Sequence, residues 1–174
     1  MRLASLLFSG MLIGALGLCG CNNKPATPDA AKNPAPDKTY LFTSEPAGAK
    51  GVKQARADVK DAEEVTVVGR IGGDEKPWIE GQAEFLIVDT SLKPCNERPG
   101  DDCATPWDYC CDANDLPTSK AMIKIVDAGG KTVATDARKL LGVKELQTLV
   151  VHGKAKRDDA GNLTVLADKV FIRQ

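Results

Sequence analysis

Short runs of β-branched and other apolar residues mark the second half of the chain. Three of them predict strands over residues 64–71, 83–89 and 121–127, and each has the length of a strand rather than of a helix. Two further runs predict strands over 149–156 and 163–167, and the turn-forming residues 158–162 between them indicate a hairpin. We expect residues 170–172 to extend the fifth strand through a bulge at 168–169.

Two other segments have helical signals. An apolar stripe at helical spacing comprises Val52, Ala55, Val59 and Ala62. The stripe predicts a helix over roughly residues 49–62. Asp136 is a suitable N-cap for a short helix over 137–141, which Gly142 would close. The predicted order is therefore a helix, three strands, a helix and two strands in a mainly β domain over residues 48–174.

The N-terminal segment has the pattern of an export signal. Arg2 precedes a charge-free apolar run that is too short to span a bilayer as a stable anchor, so residues 1–20 are predicted to be a cleaved signal peptide. The run ends in Leu18-Cys19-Gly20-Cys21, which resembles the lipobox of bacterial lipoproteins. The resemblance implies that Cys21 is lipidated and holds the protein on the cell membrane or outer membrane, facing the periplasm or the exterior. An ordinary secreted protein is the alternative.

After the predicted signal peptide, the chain continues with a polar segment and has a near-neutral charge. Residues 21–47 comprise the lipidated cysteine and a Pro/Ala-rich spacer that we expect to be disordered. Without residues 1–20 the chain has 22 basic and 24 acidic residues, a formal charge of −2. Nucleic-acid-binding proteins are typically strongly basic. The expected partners are therefore the membrane, through the N-terminal lipid, and an envelope protein or polymer, with no nucleic acid.

Residues 63–172 resemble the OB-fold, and specifically OB domains of the tRNA-anticodon-binding type. The similar motifs are Val65-x-Val67-x-Gly69-Arg70-Ile71 in the first strand and segments 150–155 and 161–167 in the last two. The resemblance implies a five-stranded Greek-key barrel with the short helix between strands three and four. Phe85 is the only aromatic residue of the second and third strands, whereas OB domains that bind single strands stack bases on aromatic rings.

A long connection between the second and third strands, residues 90–119, interrupts this resemblance. It contains Cys95, Cys103, Cys110 and Cys111. In an exported chain we expect two disulfides, which would staple an insertion that has little core of its own. A bond between the adjacent Cys110 and Cys111 would be strained, so these two are expected to pair separately with Cys95 and Cys103.

The sequence gives weaker support for a metal site, a redox site or a calcium site. The cysteine spacing does not match the paired chelating turns of zinc knuckles or ribbons, so no metal ligand and no cofactor is predicted. A soft copper or zinc site, or a thiol-redox switch, is the alternative function. His152, the one histidine, is expected to be solvent-facing or partly buried rather than a ligand. From Asp89 to Ser119 seven acidic residues face two basic ones, and a solvated acidic loop is favoured over a calcium site.

Three aromatic residues in the connections are candidate binding contacts: Trp78, Trp107 and Tyr109. Trp78 lies between the first two strands, in a loop that belongs to the usual ligand rim of OB domains. Trp107 and Tyr109 either anchor the insertion on the barrel, which is the favoured interpretation, or form an exposed patch. The sequence has no recognisable catalytic arrangement or nucleotide-binding motif. It therefore predicts no catalytic residue and a non-enzymatic binding module of the cell envelope.

Overall fold

The strand patterns of the sequence correspond to real strands in the computed structural model, which describes residues 35–174. The strands are β1 (Lys50–Gly51), β2 (Glu64–Ile71), β3 (Trp78–Ile79), β4 (Glu84–Val88), β5 (Lys120–Ile125), β6 (Thr148–Arg157) and β7 (Leu163–Ile172). The helices are α1 (Val52–Asp58), α2 (Leu116–Ser119) and α3 (Ala137–Leu141). Within residues 35–174, no helix has the length and apolar character needed to cross a membrane. The predicted signal peptide and Cys21 lie outside the described residues.

Five of the strands close into a barrel. Its order is β2, β6, β7, β5 and β4, and β4 returns to β2 where Arg70 pairs with Val88 and Ile71 with Ile87. β5 and β7 run parallel, whereas the other neighbours in the barrel are antiparallel. The short strands β1 and β3 add to β2 and β4. This confirms the mainly β class, and the barrel is consistent with an OB-like architecture.

Alternate residues of the strands fill the barrel. On β5, Ala121, Ile123 and Ile125 are buried, whereas the residues between them are only partly buried. The twofold period places successive side chains on opposite faces of a strand, so one face packs in the core. Phe85 and Ile87 of β4 are fully buried on the same principle. The pattern that predicts the strands therefore also defines which of their faces forms the core.

The predicted bulge is present in β7. His152 pairs with Lys169 and Gly153 with Ala167, which leaves Asp168 as the extra residue. A Cβ atom at Gly153 would lie 2.1 Å from the carbonyl oxygen of Leu166, so the close approach of the two strands requires glycine here. Beyond the bulge β7 continues to Ile172, as expected.

Helix α1 is shorter than the sequence predicts. It covers Val52–Asp58 rather than 49–62. Val52, Ala55 and Val59 are buried, as the apolar stripe predicts. Ala62 instead is exposed and has a left-handed backbone with a φ of 62°. The stripe therefore extends past the end of the helix.

Residues distant in sequence cap both ends of α1. At the N-terminus, the buried carboxylate of Asp89 accepts a hydrogen bond of 2.8 Å from the amide of Lys53. At the C-terminus, the guanidinium of Arg157 donates to the carbonyl oxygens of Arg56 and Val59. An acid at the N-terminus and a base at the C-terminus also complement the helix dipole. The bounds of α1 thus depend on tertiary contacts.

The last part of the predicted spacer contacts the barrel. The amides of Asp37 and Phe42 each donate a 2.8 Å hydrogen bond, to the carbonyl oxygens of Leu140 and Val170 respectively. Between them, Tyr40 and Leu41 pack against the core. The boundary expected at residue 48 is therefore corrected towards residue 37, because two apolar side chains in this segment have a surface to cover.

Candidate functional site

The insertion leaves and rejoins the barrel at one point. The amide of Asp89 donates a 2.8 Å hydrogen bond to the carbonyl oxygen of Ser119, directly beyond the pairing of Val88 with Lys120. Between these ends, α2 and the 3₁₀ turns Cys95–Glu97 and Cys110–Asp112 are short. The conformation of the insertion therefore depends on side-chain anchors rather than on long regular elements.

Tyr109 is the main anchor. Its fully buried side chain packs in a small apolar cluster with Val88, Leu92 and Leu116, separate from the barrel core. Burial raises the pKa of the Tyr109 phenol to about 12, so the group is neutral at physiological pH. Its hydroxyl has no hydrogen-bond partner among the described residues. Of the two interpretations of Tyr109, the structure places it in the anchoring role.

Trp107 fastens the insertion to the connection between β2 and β3. Its indole Nε1 donates a 3.1 Å hydrogen bond to the carbonyl oxygen of Glu75, and its own carbonyl oxygen accepts one of 2.8 Å from the amide of Gly73. A Cβ atom at Gly72 would lie 2.4 Å from that carbonyl oxygen, so the contact requires glycine there. Trp107 is only partly buried and keeps some accessible surface.

Trp78 lies in the core, with 8% of its surface exposed. Its ring packs 5.6 Å from that of Phe85, and its Nε1 donates a 2.6 Å hydrogen bond to Glu145. The guanidinium of Arg138 lies over the indole, 5.5 Å from the ring centroid. The expectation that Trp78 offers an exposed contact is therefore corrected. Its ring instead links β3 to α3 and the residues that follow.

The four cysteines of the insertion converge. The buried Sγ of Cys95 lies 3.6 Å from that of Cys110 and 4.0 Å from that of Cys111. The Sγ atoms of Cys103 and Cys110 are also 4.0 Å apart. A disulfide bond is about 2.05 Å long, so the four side chains are free thiols here, and the two disulfides stay a prediction.

A carboxylate completes this cluster. Asp108 places Oδ1 3.8 Å from the Sγ of Cys95, where it also accepts a 2.9 Å hydrogen bond from the amide of Cys110. Its other oxygen, Oδ2, accepts a 2.9 Å hydrogen bond from the hydroxyl of Thr105. The carboxylate is thus held from both sides, with one oxygen directed at the sulfur atoms.

Neighbouring groups raise the pKa of two thiols. For Cys110 the largest cause is the hydrogen bond with Cys95, followed by burial and the hydrogen bond with Asp108. For Cys111 it is the 3.2 Å hydrogen bond to Asp101, and the pKa of this thiol rises to about 11. These two thiols are therefore protonated at neutral pH.

The pKa of Asp108 is lowered, in contrast to those of the two thiols. Burial alone would raise the pKa of its carboxyl, but the hydrogen bonds from Cys110 and Thr105 outweigh it and hold the pKa below the usual value. An ionised carboxylate thus stands beside protonated thiols.

Several other acids of the insertion are already engaged. Asp89 caps α1, Glu97 pairs with Arg70 at 2.7 Å, and Asp112 pairs with Arg98 at 2.5 Å. The excess of negative charge in the sequence is therefore partly neutralised within the fold. Among the described residues, the groups that converge closely enough to hold a metal ion all include cysteine.

Sequence reasoning does not identify Asp108 and Thr105 as members of the cluster. In the sequence Asp108 is one of seven acids of an acidic loop. The available signal is local: Asp side chains commonly accept a hydrogen bond from the amide two residues later, here that of Cys110. His152, in contrast, is partly buried as expected and pairs with Asp168 at the bulge, 2.8 Å away.

Comparison with known proteins places the chain in no family. No protein-family model matches the sequence, and no curated protein matches it. The function is therefore inferred from the residues and geometry of the site.

Proposed function

We propose that the chain is a lipid-anchored protein of the cell envelope, in which an OB-like barrel presents the insertion of residues 90–119 to an envelope protein or polymer. One observation carries the proposal: the buried Tyr109 and the partly exposed Trp107 fix the insertion on the barrel. A loop held in this way offers a constant surface, and binding it costs less ordering entropy than binding a mobile loop. The proposed role is binding and not catalysis.

The order of elements supports the OB-like assignment. β5 and β7 form the one parallel pair of the barrel, and α3 lies in the chain between β5 and β6. The resemblance implies this position for the helix. The insertion lies between β4 and β5, on a barrel whose core is complete without it.

The outer face of β4 and β5 supports a partner other than nucleic acid. Phe85, the only aromatic residue of these strands, is fully buried, while Leu86 and Met122 are partly exposed and Glu84 pairs with Lys124 at 2.9 Å. Single strands are bound mainly by stacking on aromatic rings, at about 1–3 kcal/mol per base. This face has no ring to offer. Micromolar binding of an oligonucleotide at physiological salt would contradict the proposal.

The proposed anchor gives the barrel a defined reach. Residues 22–36 separate Cys21 from Asp37, whose amide makes the first hydrogen bond to the barrel along the described chain. At about 3.1 Å per residue, a segment of this length can bridge at most roughly 45 Å. The insertion is therefore expected to contact partners at some distance from the lipid surface.

Cross-linking in intact cells, followed by purification through the chain, tests the binding role. We expect Trp107→Ala to lose the captured partner, because it removes the largest accessible ring of the insertion. Ile79→Ala is the matched control: Ile79 is an apolar residue of β3, 43% exposed and outside the insertion, and its variant should retain the partner. Thermal unfolding must show that both variants are folded. Retention by Trp107→Ala together with loss by Ile79→Ala would overturn the assignment to the insertion.

A further inference from the structure

We infer that Cys95, Cys103, Cys110 and Asp108 form, in the reduced protein, a binding site for one Zn²⁺ ion. The three sulfur atoms and a carboxylate oxygen of these residues all lie within 4.8 Å of one another. They come from two 3₁₀ turns and the segment between them. The site is independent of the lipid anchor and of any partner.

Three of the six distances between the donor atoms are close to those of a tetrahedral site, and the other three are within 4.8 Å. With Zn–S bonds of about 2.3 Å, two ligands of a tetrahedron lie about 3.8 Å apart. The observed separations are 3.6 Å for Cys95 and Cys110, and 4.0 Å for Cys103 and Cys110. The carboxylate oxygen of Asp108 lies 3.8 Å from the sulfur of Cys95. Small side-chain rotations are therefore enough to centre an ion among them.

Neighbouring groups orient the ligands in advance. The hydroxyl of Thr105 holds Oδ2 of Asp108 at 2.9 Å, which leaves Oδ1 facing the sulfur atoms. The amide of Cys95 donates a 3.0 Å hydrogen bond to the carbonyl oxygen of Pro106, and so joins the two halves of the insertion. Hydrogen bonds of this kind to a metal ligand typically change metal affinity 10–100-fold, about the size of effect expected for Thr105.

The donor set selects the metal. Three thiolates favour Zn²⁺ or Cu⁺ over magnesium and calcium, which prefer oxygen ligands. The carboxylate favours Zn²⁺, which accepts oxygen beside sulfur, whereas Cu⁺ prefers soft ligands throughout. On binding, Zn²⁺ replaces the three thiol protons, which pass to solvent, and the complex of three thiolates, one carboxylate and the ion has a charge of −2. No electron is transferred.

Cys111 provides a matched control within the same cluster. Its sulfur is 4.0 Å from that of Cys95 and forms, with Cys95 and Asp101, a second group of three donors, but it lies outside the proposed four-donor set. Cys111→Ser thus removes a neighbouring thiol and leaves all four proposed ligands. Cys103→Ser removes one ligand that is only half-buried, so the fold should tolerate it.

The experiment uses the full chain, extracted from membranes in mild detergent, reduced and kept without oxygen. Zn²⁺ is titrated against a chelator of known affinity, and Co²⁺ is used as a spectroscopic probe of thiolate ligands. We expect one ion per chain, with thiolate-to-cobalt charge-transfer bands in a tetrahedral spectrum. Cys103→Ser and Asp108→Asn should each weaken Zn²⁺ binding at least about 100-fold, and Thr105→Val about 10–100-fold. Cys111→Ser should bind as the wild type does.

The variants also separate the roles of the ligands. Cys103→Ser should reduce the charge-transfer absorbance of the cobalt form by about a third, whereas Asp108→Asn should retain it at saturating Co²⁺, because all three thiolates remain. Failure of the reduced wild type to bind one Zn²⁺ would overturn the inference. So would full binding by Cys103→Ser, or a loss with Cys111→Ser as large as the loss with Cys103→Ser.

Discussion

Tyr109, the main anchor of the insertion, contributes to stability through the packing of its ring and not through a hydrogen bond of its hydroxyl. The ring of Tyr109 fills a cluster with Val88 and Leu92, but its OH has no partner among the described residues. We therefore predict that Tyr109→Phe leaves the free energy of unfolding unchanged or raises it by up to about 1 kcal/mol, since burying an unpaired hydroxyl is unfavourable. Tyr109→Ala should lower it by about 3–5 kcal/mol, because the ring leaves a cavity.

Urea unfolding of the two variants beside the wild type measures both values. A loss of more than about 1 kcal/mol in Tyr109→Phe would show that the hydroxyl has a partner after all, such as the nearby guanidinium of Arg70 or an ordered water. The same variants report on the insertion itself. Since Tyr109 lies between Asp108 and Cys110, Tyr109→Ala should also disturb the thiol cluster, whereas Tyr109→Phe should not.

Oxidation of the thiol cluster is the second prediction for single residues. Two sets of disulfides are open to the vicinal cysteines. In one of them, Cys95 pairs with Cys111 and Cys103 with Cys110. The sulfur atoms of each of these pairs are 4.0 Å apart, close enough for bonding after side-chain rotation. A small-molecule disulfide, which takes up the electrons and protons, should form both bonds and lower the mass of the chain by about 4 Da. Peptide mapping under non-reducing conditions checks the pairing. Recovery of a peptide that links Cys95 to Cys110 would contradict it.

At the level of elements, the caps of α1 can be tested separately from its packing. The carboxylate of Asp89 accepts hydrogen bonds from the amides of Lys53 and Ser91. We predict that Asp89→Ala lowers the free energy of unfolding by about 1–2 kcal/mol, the usual effect of losing an N-cap. Asp102→Ala, which removes an exposed acid of the insertion, should change it by less than about 0.5 kcal/mol. Equal losses in the two variants would contradict the capping role.

The same carboxylate makes stability depend on pH. Burial opposes its ionisation, but the amides of Lys53 and Ser91 outweigh burial and lower the pKa of Asp89. A folded-state pKa below the unfolded value of about 3.9 means a contribution that is present above pH 4 and lost as the pH falls through the folded pKa. The free energy of unfolding of Asp89→Asn should therefore fall less steeply than that of the wild type below about pH 5. Parallel curves would indicate an unperturbed carboxyl.

The sequence predicts those elements whose signals are local. The strand over 64–71 has the predicted bounds, and the bulge near Asp168 follows from one polar pair within an apolar strand. The ends of α1 depend on Asp89 and Arg157, which lie far along the chain, so no window around the helix could contain them. The short strand β3 is also missing from the prediction, because two residues give no periodicity.

The candidate site likewise has features that the sequence predicts and features that it does not. The cysteines of the insertion are evident from the sequence, and their convergence is the expected result of two pairings. The contribution of Asp108 is not evident, because it depends on how the turn after Thr105 folds back on Cys95. The burial of Trp78 is not evident either. A tryptophan in a connection has the same local pattern whether its ring faces the solvent or, as here, contacts Phe85.

At the scale of the whole molecule, the proposed lipid anchor on Cys21 can be tested by labelling. Metabolic labelling with a radioactive fatty acid should label the wild type and Cys19→Ala but not Cys21→Ala. The reason is that the small Gly20 precedes Cys21, whereas the bulky Leu18 precedes Cys19. Labelled Cys21→Ala protein would rule out the assignment. Loss of label from Cys19→Ala alone would transfer it to the other cysteine.

The segment between Asp37 and Glu45 gives this molecule a mechanical property. It is held by two backbone hydrogen bonds, to Leu140 and Val170, by the packing of Tyr40 and Leu41 on the core, and by the ion pair of Glu45 with Arg173 at 2.5 Å. If the chain is tethered through its N-terminus, a pull on the tether loads these contacts one after another, beginning at Asp37, before it loads any strand pair of the barrel. Their release adds about 9 extended residues, or roughly 30 Å of slack, at about 3.3 Å per residue. In a chain tethered as proposed, this segment would lengthen under tension while the barrel and its insertion keep their shape.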